Sequence, residues 1–466
     1  MAGRQPHSPY QDLQEPPCRQ PRGLPSPERG PGAVTLPDAE LQRLLLARQR
    51  AGRVPGVTAG VARDGALLWT GSAGLADVEA GRPAEPRLQY RIGSITKTFT
   101  AAVVLLLCGE GLLDLDDRLG AQLPEAPFGR VTVRSLLAHG AGVQREMPGG
   151  IWEAFQGPDR AALLASLDAS GQVLRPWTAW HYSNLGYALL GELVRRCAKA
   201  PFAEVVQERL LTPLGLGRTT WTRSEPAAHG YLVRPHEDVV AREPEVDLRA
   251  GAAHGQLWST LADLATWAAA LHGTRPGVLP AAVCERMRTV HSMADPERWT
   301  RAWGLGLGLY RRGDRILAGH GGGLPGFRAG LVFDPEDGTA AIVLANGTTG
   351  LDHVGAACEL LDHARTAPAP EPPAWQPGEP CPEALRSALG AWWYEGEQLV
   401  VWWRHGRLQA GSSDAPDEAV ELIEEADDRY RIAEGPYRGE RVRLVRDGAG
   451  AVVKLSWSDY PFGREP

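Results

Sequence analysis

The chain has 466 residues, 43% hydrophobic and 23% charged, with a formal net charge of −7, a composition expected of a soluble globular protein long enough for two hydrophobic cores. Its charge is spread without a basic block to follow a phosphate backbone, so no nucleic-acid partner is expected. The longest apolar run, AAVVLLLC at 101–108, is far below the ~20 residues that span a bilayer, and no membrane partner is expected either.

Residues 1–36 are rich in Pro, Arg and Gln and contain no apolar stretch of signal-peptide type. They are expected to be a disordered tail, and without an export signal the expected location is cytoplasmic. Six cysteines, Cys18, Cys108, Cys197, Cys284, Cys358 and Cys381, are far apart and form no C-x-x-C pair, which reads as reduced thiols.

LPDAELQRLLLARQRAG (36–52) has helical apolar spacing, with Asp38 as the expected N-cap. VTAGVARDGALLWTGSAGLADVE (57–79) reads as two strands joined at Asp64-Gly65. Helical patterns dominate from about 94 to 300, interrupted by loops such as GAGVQREMPGG (140–150). Strand character returns at 303–322 and 327–347, each stretch with a Gly-Asp or Asp-Gly turn, and 349–364 closes the region as a helix. A hairpin early and two hairpins late predict one antiparallel sheet assembled from both ends of a domain over 37–365, with helices on its faces: an α+β, three-layer fold. Residues 366–382 are a Pro-rich linker. Short alternating strands over 383–466 predict a small antiparallel β-barrel or sandwich. No internal repeat is evident.

The chain has only three lysines, Lys97, Lys199 and Lys454. Lys97 lies three residues after Ser94 at the start of an apolar helix, so the two side chains share a face. Arginine stays protonated in proteins, whereas a desolvated lysine can lose its proton and act as a base towards a serine hydroxyl. The Ser94 amide would lie near the positive end of the helix dipole, where an oxyanion is favoured. Taken alone, S-x-x-K reads equally as a capping serine and a solvated lysine. Tyr182-Ser183-Asn184, the only Y-x-N, precedes a second apolar helix. A tyrosine near a lysine can share its proton, and an Asn amide can bind an acyl substituent; alone, the pair also reads as a buried tyrosine and a helix cap. His320 is placed at the end of a strand, before Gly321, Gly322 and Gly323, which leave room for a ligand against the backbone. GGGLPG also satisfies G-x-G-x-x-G, but a strand and no helix follows, so a dinucleotide site is rejected.

In this order and context (RIGSITKTFTA, TVRSLLAHGAG, YSNLGYALLG, GHGGGLPGF) the chain resembles the serine β-lactamase and penicillin-binding-protein superfamily over roughly 39–365, nearest the branch of esterases and D-amino-acid peptidases. The resemblance implies that Ser94 is the acylated nucleophile, that Lys97 and Tyr182 move its proton, and that Asn184 binds the acyl side chain. It also implies that His320 stands where many relatives have lysine, and that Gly322 and Gly323 line the substrate, with the amides of Ser94 and Gly323 forming the oxyanion hole. The C-terminal strands look like the lipocalin-like barrel some relatives append. A mostly neutral histidine at 320 is expected to shift preference away from substrates bearing a carboxylate. No dedicated glutamate base for deacylation stands out.

The expected function is therefore a serine hydrolase cleaving an ester or peptide-like amide bond through a Ser94 acyl-enzyme. Alternatives are a free-standing peptidyl thioesterase or cyclase releasing nonribosomal peptides, a β-lactamase or D-Ala-D-Ala carboxypeptidase, and a sensor that is acylated once and not freed. Lack of an export signal argues against the cell-wall and antibiotic roles. No cofactor and no metal are expected; His353 and His363 have no metal-ligand spacing with any carboxylate. The expected partner is a small-molecule or peptide substrate, and oligomeric state is not legible. Trp152, Phe155, Trp177 and Trp180 are candidates for an acyl pocket, as are loops 143–160 and 222–250, whereas His139 is expected to be structural.

Overall fold

The computed structural model describes residues 36–168, 171–364, 378–415 and 419–465. The expected tail, apart from Leu36, and the linker from 366 to 377 lie outside the described residues, as does Cys18.

Helix α1 (Asp38–Gly52) starts one residue earlier than expected. Pro37 holds the N-cap position and Asp38 is the first helical residue, where its charge suits the helix dipole. β1 (Gly56–Arg63) and β2 (Ala66–Asp77) pair antiparallel through Asp64 and Gly65, whose positive φ values of 52° and 87° suit a tight hairpin. β3 (Arg82–Pro83) follows on the outer side of β2. The helical middle contains α2 (Thr96–Gly109), α3 (Asn184–Ala198) and α4 (Leu261–His272). The chain then returns to the sheet with β4 (Ser292–Met293), β5 (Arg301–Trp303), β6 (Gly308–Arg312), β7 (Arg315–Leu324), β8 (Phe327–Phe333) and β9 (Ala340–Ala345) before α5 (His353–His363).

The nine strands run β3-β2-β1-β9-β8-β7-β6-β5-β4, so β1 from the start of the chain pairs with β9 from the far end, Ala59 opposite Val343. Both faces are covered, which is why all six residues of β9 are buried. Ala341, Val343 and Ala345 pack with Leu41, Leu45 and Leu361 under α1 and α5, while Ile342 and Leu344 join the larger core beneath α2, α3 and α4. The period-two alternation thus divides one strand between two cores and gives the expected three layers.

α2 is apolar almost all round and is buried accordingly. Phe99 stacks on Trp267 of α4 at 4.0 Å between centroids, and the Trp267 indole donates to Thr98 Oγ1 at 2.8 Å. These contacts fix the rotation of α2 and with it the direction of Lys97.

Eight further antiparallel strands, β10 (Gly390–Tyr394), β11 (Glu397–Arg404), β12 (Arg407–Gly411), β13 (Val420–Ala426), β14 (Arg429–Ile432), β15 (Arg441–Arg446), β16 (Val452–Trp457) and β17 (Tyr460–Phe462), pair in chain order. A bridge between Trp393 and Gly463 joins first strand to last, and the barrel is nearly closed around Trp392, Val401, Leu408, Tyr430 and Leu455. Asp238, in the loop 234–239, fastens the barrel to the larger domain. Its carboxylate accepts from the His405 amide at 2.8 Å and lies 2.9 Å from the Arg53 guanidinium.

Candidate active site

Ser94 sits in a single 3-10 turn, Gly93–Ile95, that runs directly into α2. Gly93 has φ of 51°, and a Cβ there would lie 2.8 Å from the Gly323 nitrogen, so the turn and its approach to β7 both need glycine. Lys97, in the first turn of α2, is fully buried. Its Nζ lies 2.7 Å from Asn184 Oδ1, 2.7 Å from the His254 carbonyl oxygen and 3.1 Å from Ser94 Oγ.

Those three neighbours differ chemically. Asn184 Oδ1 and the His254 carbonyl can only accept, whereas the serine hydroxyl can also donate. A neutral amine has two N–H bonds and one lone pair; with its hydrogens on the two obligate acceptors, the lone pair faces Ser94. Burial holds the Lys97 amine well below the usual lysine range; the Glu146 charge opposes the shift and Arg145 adds to it.

Tyr182 and Asn184 are set by the start of α3. Ser183 is the N-cap, its hydroxyl accepting from the Gly186 amide, so the cap is the serine and not Asn184. The Tyr182 ring lies 4.9 Å from Lys97 Nζ and 5.0 Å from the Arg145 guanidinium. Burial raises its phenol pKa, against which a hydrogen bond with Ser94 acts. His139 supports this segment from below: its Nδ1 accepts from the Ser183 amide at 3.1 Å, and its ring lies 4.2 Å from that of Tyr182.

His320 is not at a strand end. β7 continues through Leu324, because Gly321, Gly322 and Gly323 pair with Gly330, Ala329 and Arg328 of β8. β6 stops pairing at Gly319, so residues 320–324 present a strand edge that β6 leaves free. The Gly322 side of that edge is pressed on the turn that carries Ser94, and a Cβ there would lie 1.9 Å from the Ile92 carbonyl oxygen and 3.2 Å from the Ser94 nitrogen. The His320 Nδ1 faces the Gly321 carbonyl oxygen at 2.5 Å. Burial, with Lys97 acting in the same direction, takes its pKa to about 3. His139 and His254 are likewise pushed well below the ordinary histidine value, chiefly by burial. Lys97 is therefore ringed by three imidazoles whose pKa values are all lowered.

A cavity of about 950 Å³ opens over these groups and is lined by Ser94, Tyr182, Asn184, His320, Gly322 and Gly323. Of the four aromatic candidates, Trp152 and Trp180 line it. Phe155 packs against the main core, and Trp177 is exposed, lying over Gly140. Loop 143–160 supplies Arg145, Glu146 and Trp152, but no lining residue comes from 222–250. That second loop instead carries the barrel's attachment at Asp238. Glu146, His254, Trp303 and Arg328 also line the cavity and were not singled out by sequence. Only Glu146 had a signal, as a carboxylate inside a loop already assigned to the pocket.

A family model described as Beta-lactamase matches residues 41–365. The chain belongs to the beta-lactamase family. The expected resemblance is thereby borne out, and with it the group of serine hydrolases that includes penicillin-binding proteins. A second model, described as a domain of unknown function, DUF7586, matches the barrel over 381–464. Protein flp of Staphylococcus aureus strain MW2 is 25% identical over 308 residues, which are 63% of this chain and 60% of that protein. Penicillin-binding protein 4* of Bacillus subtilis strain 168 is 27% identical over 198 residues, 40% of this chain and 44% of that one. The chain thus spans less than two thirds of either relative. Among solved structures, a D-stereospecific amidohydrolase from Streptomyces sp. is 28% identical with a TM-score of 0.58, covering 71% of this chain and 98% of that one. Among the described residues no helix is long and apolar enough to cross a membrane.

Proposed function

We propose that this beta-lactamase family member cleaves an ester or amide bond through an acyl-enzyme on Ser94, and that its acyl donors are derivatives of D-amino acids. The carrying observation is the environment of Lys97: a buried amine with two obligate acceptors and one serine hydroxyl within 3.1 Å.

In the forward half-reaction Lys97 Nζ takes the Ser94 proton as Oγ attacks the carbonyl carbon. Negative charge developing on the carbonyl oxygen meets the backbone at Ser94 and Gly323, beside the start of α2. Tyr182, within hydrogen-bond reach of Ser94, carries a proton to the leaving group. Water then enters, loses a proton to the same Lys97 and Tyr182 pair, and releases the acid. No permanent cation stands at His320, so the pair works beside a neutral ring.

The likeness to an enzyme named a D-stereospecific amidohydrolase supports the stereochemical part. Matched D- and L-amino-acid amides and p-nitrophenyl esters, assayed with wild type and Ser94→Ala, test it. Turnover of the D series that vanishes with Ser94 is expected; equal turnover of both series removes the stereochemical reading, and turnover independent of Ser94 removes the mechanism.

A further inference from the structure

Glu146 lies beside the catalytic groups without touching the nucleophile. Its Oε1 and Oε2 accept from Asn184 Nδ2 at 2.9 and 3.0 Å. The same amide's Oδ1 faces Lys97 Nζ at 2.7 Å. The loop that carries Glu146 is tied to the start of α3 at several points. The Asn184 main-chain N–H donates to the Arg145 carbonyl oxygen at 2.7 Å, Ser183 Oγ to that of Gln144 at 2.7 Å, and Gln144 Nε2 to that of Glu146 at 2.8 Å. The carboxylate is thus delivered to Asn184 by main-chain geometry, and its own side chain is 31% exposed.

We propose that Glu146 is a positioning residue of the catalytic centre: its carboxylate clamps the Asn184 carboxamide so that the oxygen, and not the nitrogen, is presented to Lys97. A carboxylate only accepts, and a carboxamide has one accepting and one donating end. With Nδ2 held by Glu146, Oδ1 takes one Lys97 hydrogen and leaves the lone pair for Ser94. The reversed amide would set two acceptors against each other at Glu146 and point an N–H at the Lys97 lone pair, in competition with the serine.

The inference deepens the hydrolase reading and rests on it, because the clamp acts on the proton acceptor of that reaction. The two carboxylate oxygens, 2.9 and 3.0 Å from Asn184 Nδ2, share one of its hydrogens, and the other is left to the cavity that Asn184 lines. Asn184 can therefore serve the lysine through Oδ1 and still present one N–H to an acyl group.

Lys97 is faced by Glu146 and Arg145 from the loop, by His139, His254 and His320, and by the rings of Tyr182 and Tyr187. Glu146 is the one anion among these, so its removal has a definite sign: protonated Lys97 loses a stabilising charge, and the midpoint falls.

The full chain, labelled with carbon-13 at the lysine Cε, gives signals from three lysines, and Lys97→Arg identifies the relevant one. Glu146→Gln keeps an accepting oxygen for Nδ2 but drops the charge, and the Lys97 midpoint is expected to move to lower pH. Glu146→Ala removes the clamp, and kcat is expected to fall about tenfold or more with KM nearly unchanged, partly rescued by Glu146→Asp. Thermal unfolding of each variant shows that the fold is retained. An unmoved Lys97 midpoint in Glu146→Gln overturns the proposal, as does unchanged kcat in Glu146→Ala. A loss seen only as higher KM for esters bearing a free amine also overturns it and makes Glu146 a substrate contact. The lysine midpoint needs no turnover, so a wild type without Ser94-dependent hydrolysis would sink the hydrolase reading and leave the clamp to be decided by the spectrum.

Discussion

Lys97 Nζ stands 3.1 Å from Ser94 Oγ, and its two other polar neighbours, Asn184 Oδ1 and the His254 carbonyl, are acceptors 2.7 Å away. That arrangement leaves a lone pair directed at the serine only while the amine is neutral. Arginine at this position keeps its charge and has no lone pair to offer. Lys97→Arg is expected to lower the rate of acylation by about 10³-fold, read as the rate at which an acyl adduct appears by intact mass. Acylation within a factor of about ten of wild type would assign the base elsewhere.

The three imidazoles around the lysine predict how stability depends on pH. His139, His254 and His320 all have folded values below the unfolded one, His320 at about 3. Below an unfolded pKa of about 6.5 the unfolded chain binds protons that the native protein refuses, so stability falls as pH falls. At pH 5 each histidine that stays neutral costs about 2 kcal/mol relative to neutral pH. Lys97 has the same sign over a higher window, stability rising with pH until the unfolded lysine titrates near ~10.4. Urea denaturation at pH 7.5 and 5 should show a large drop in midpoint, and His320→Gln should reduce that drop. Equal midpoints at the two pH values would mean that these rings are protonated in the native protein.

Gly322 and Gly323 should respond unequally to alanine. At Gly322 the new Cβ meets the Ile92 carbonyl oxygen at 1.9 Å, main chain that holds the nucleophile's turn. At Gly323 it meets Arg328 Nη1 at 1.8 Å, the far end of a flexible side chain. Gly322→Ala is expected to reduce kcat about 10²-fold through displacement of Ser94 from β7, and Gly323→Ala to cost much less. Steady-state kinetics on both variants decides this, and the reverse order would contradict the packing described.

Much of this architecture was legible in the sequence because it rests on short-range signals. Asp64-Gly65 announced a hairpin, strand character over 327–347 announced β8 and β9, and the apolar run after Lys97 announced α2. The motif residues came into view through the spacing of Ser94 and Lys97 and the order in which Tyr182 and His320 follow. What stayed hidden depends on long-range pairing. The continuation of β7 through Gly321–Gly323 is enforced by β8, although three glycines in a row carry no strand propensity of their own. Glu146 reaches Asn184 across 38 residues of sequence, a contact no local pattern encodes. Loop 222–250 was expected to shape the pocket, but it lines none of the cavity and instead holds the barrel through Asp238.

Asp238 supplies a prediction at that junction. Its side chain is 2% exposed and paired with Arg53, 13% exposed, and removal of one partner of a buried pair costs about 3 kcal/mol or more. Asp238→Ala is expected to loosen the barrel, with cleavage by trypsin after Arg386, whose side chain is 48% exposed, appearing earlier than in wild type. The kcat for a small ester should stay close to the wild-type value, because no residue of 222–250 lines the cavity. A loss of kcat without earlier cleavage would show that the barrel acts on the active site by another route.

Ser94 is expected to become acylated and to be freed again. The decisive experiment is hydrolysis of a short-chain p-nitrophenyl ester by wild type and Ser94→Ala, with intact mass recorded on the same samples. Multiple turnovers and a transient acyl adduct are expected in wild type, and neither in Ser94→Ala. An adduct that persists after a single equivalent of product would contradict turnover, and hydrolysis surviving in Ser94→Ala would contradict the nucleophile.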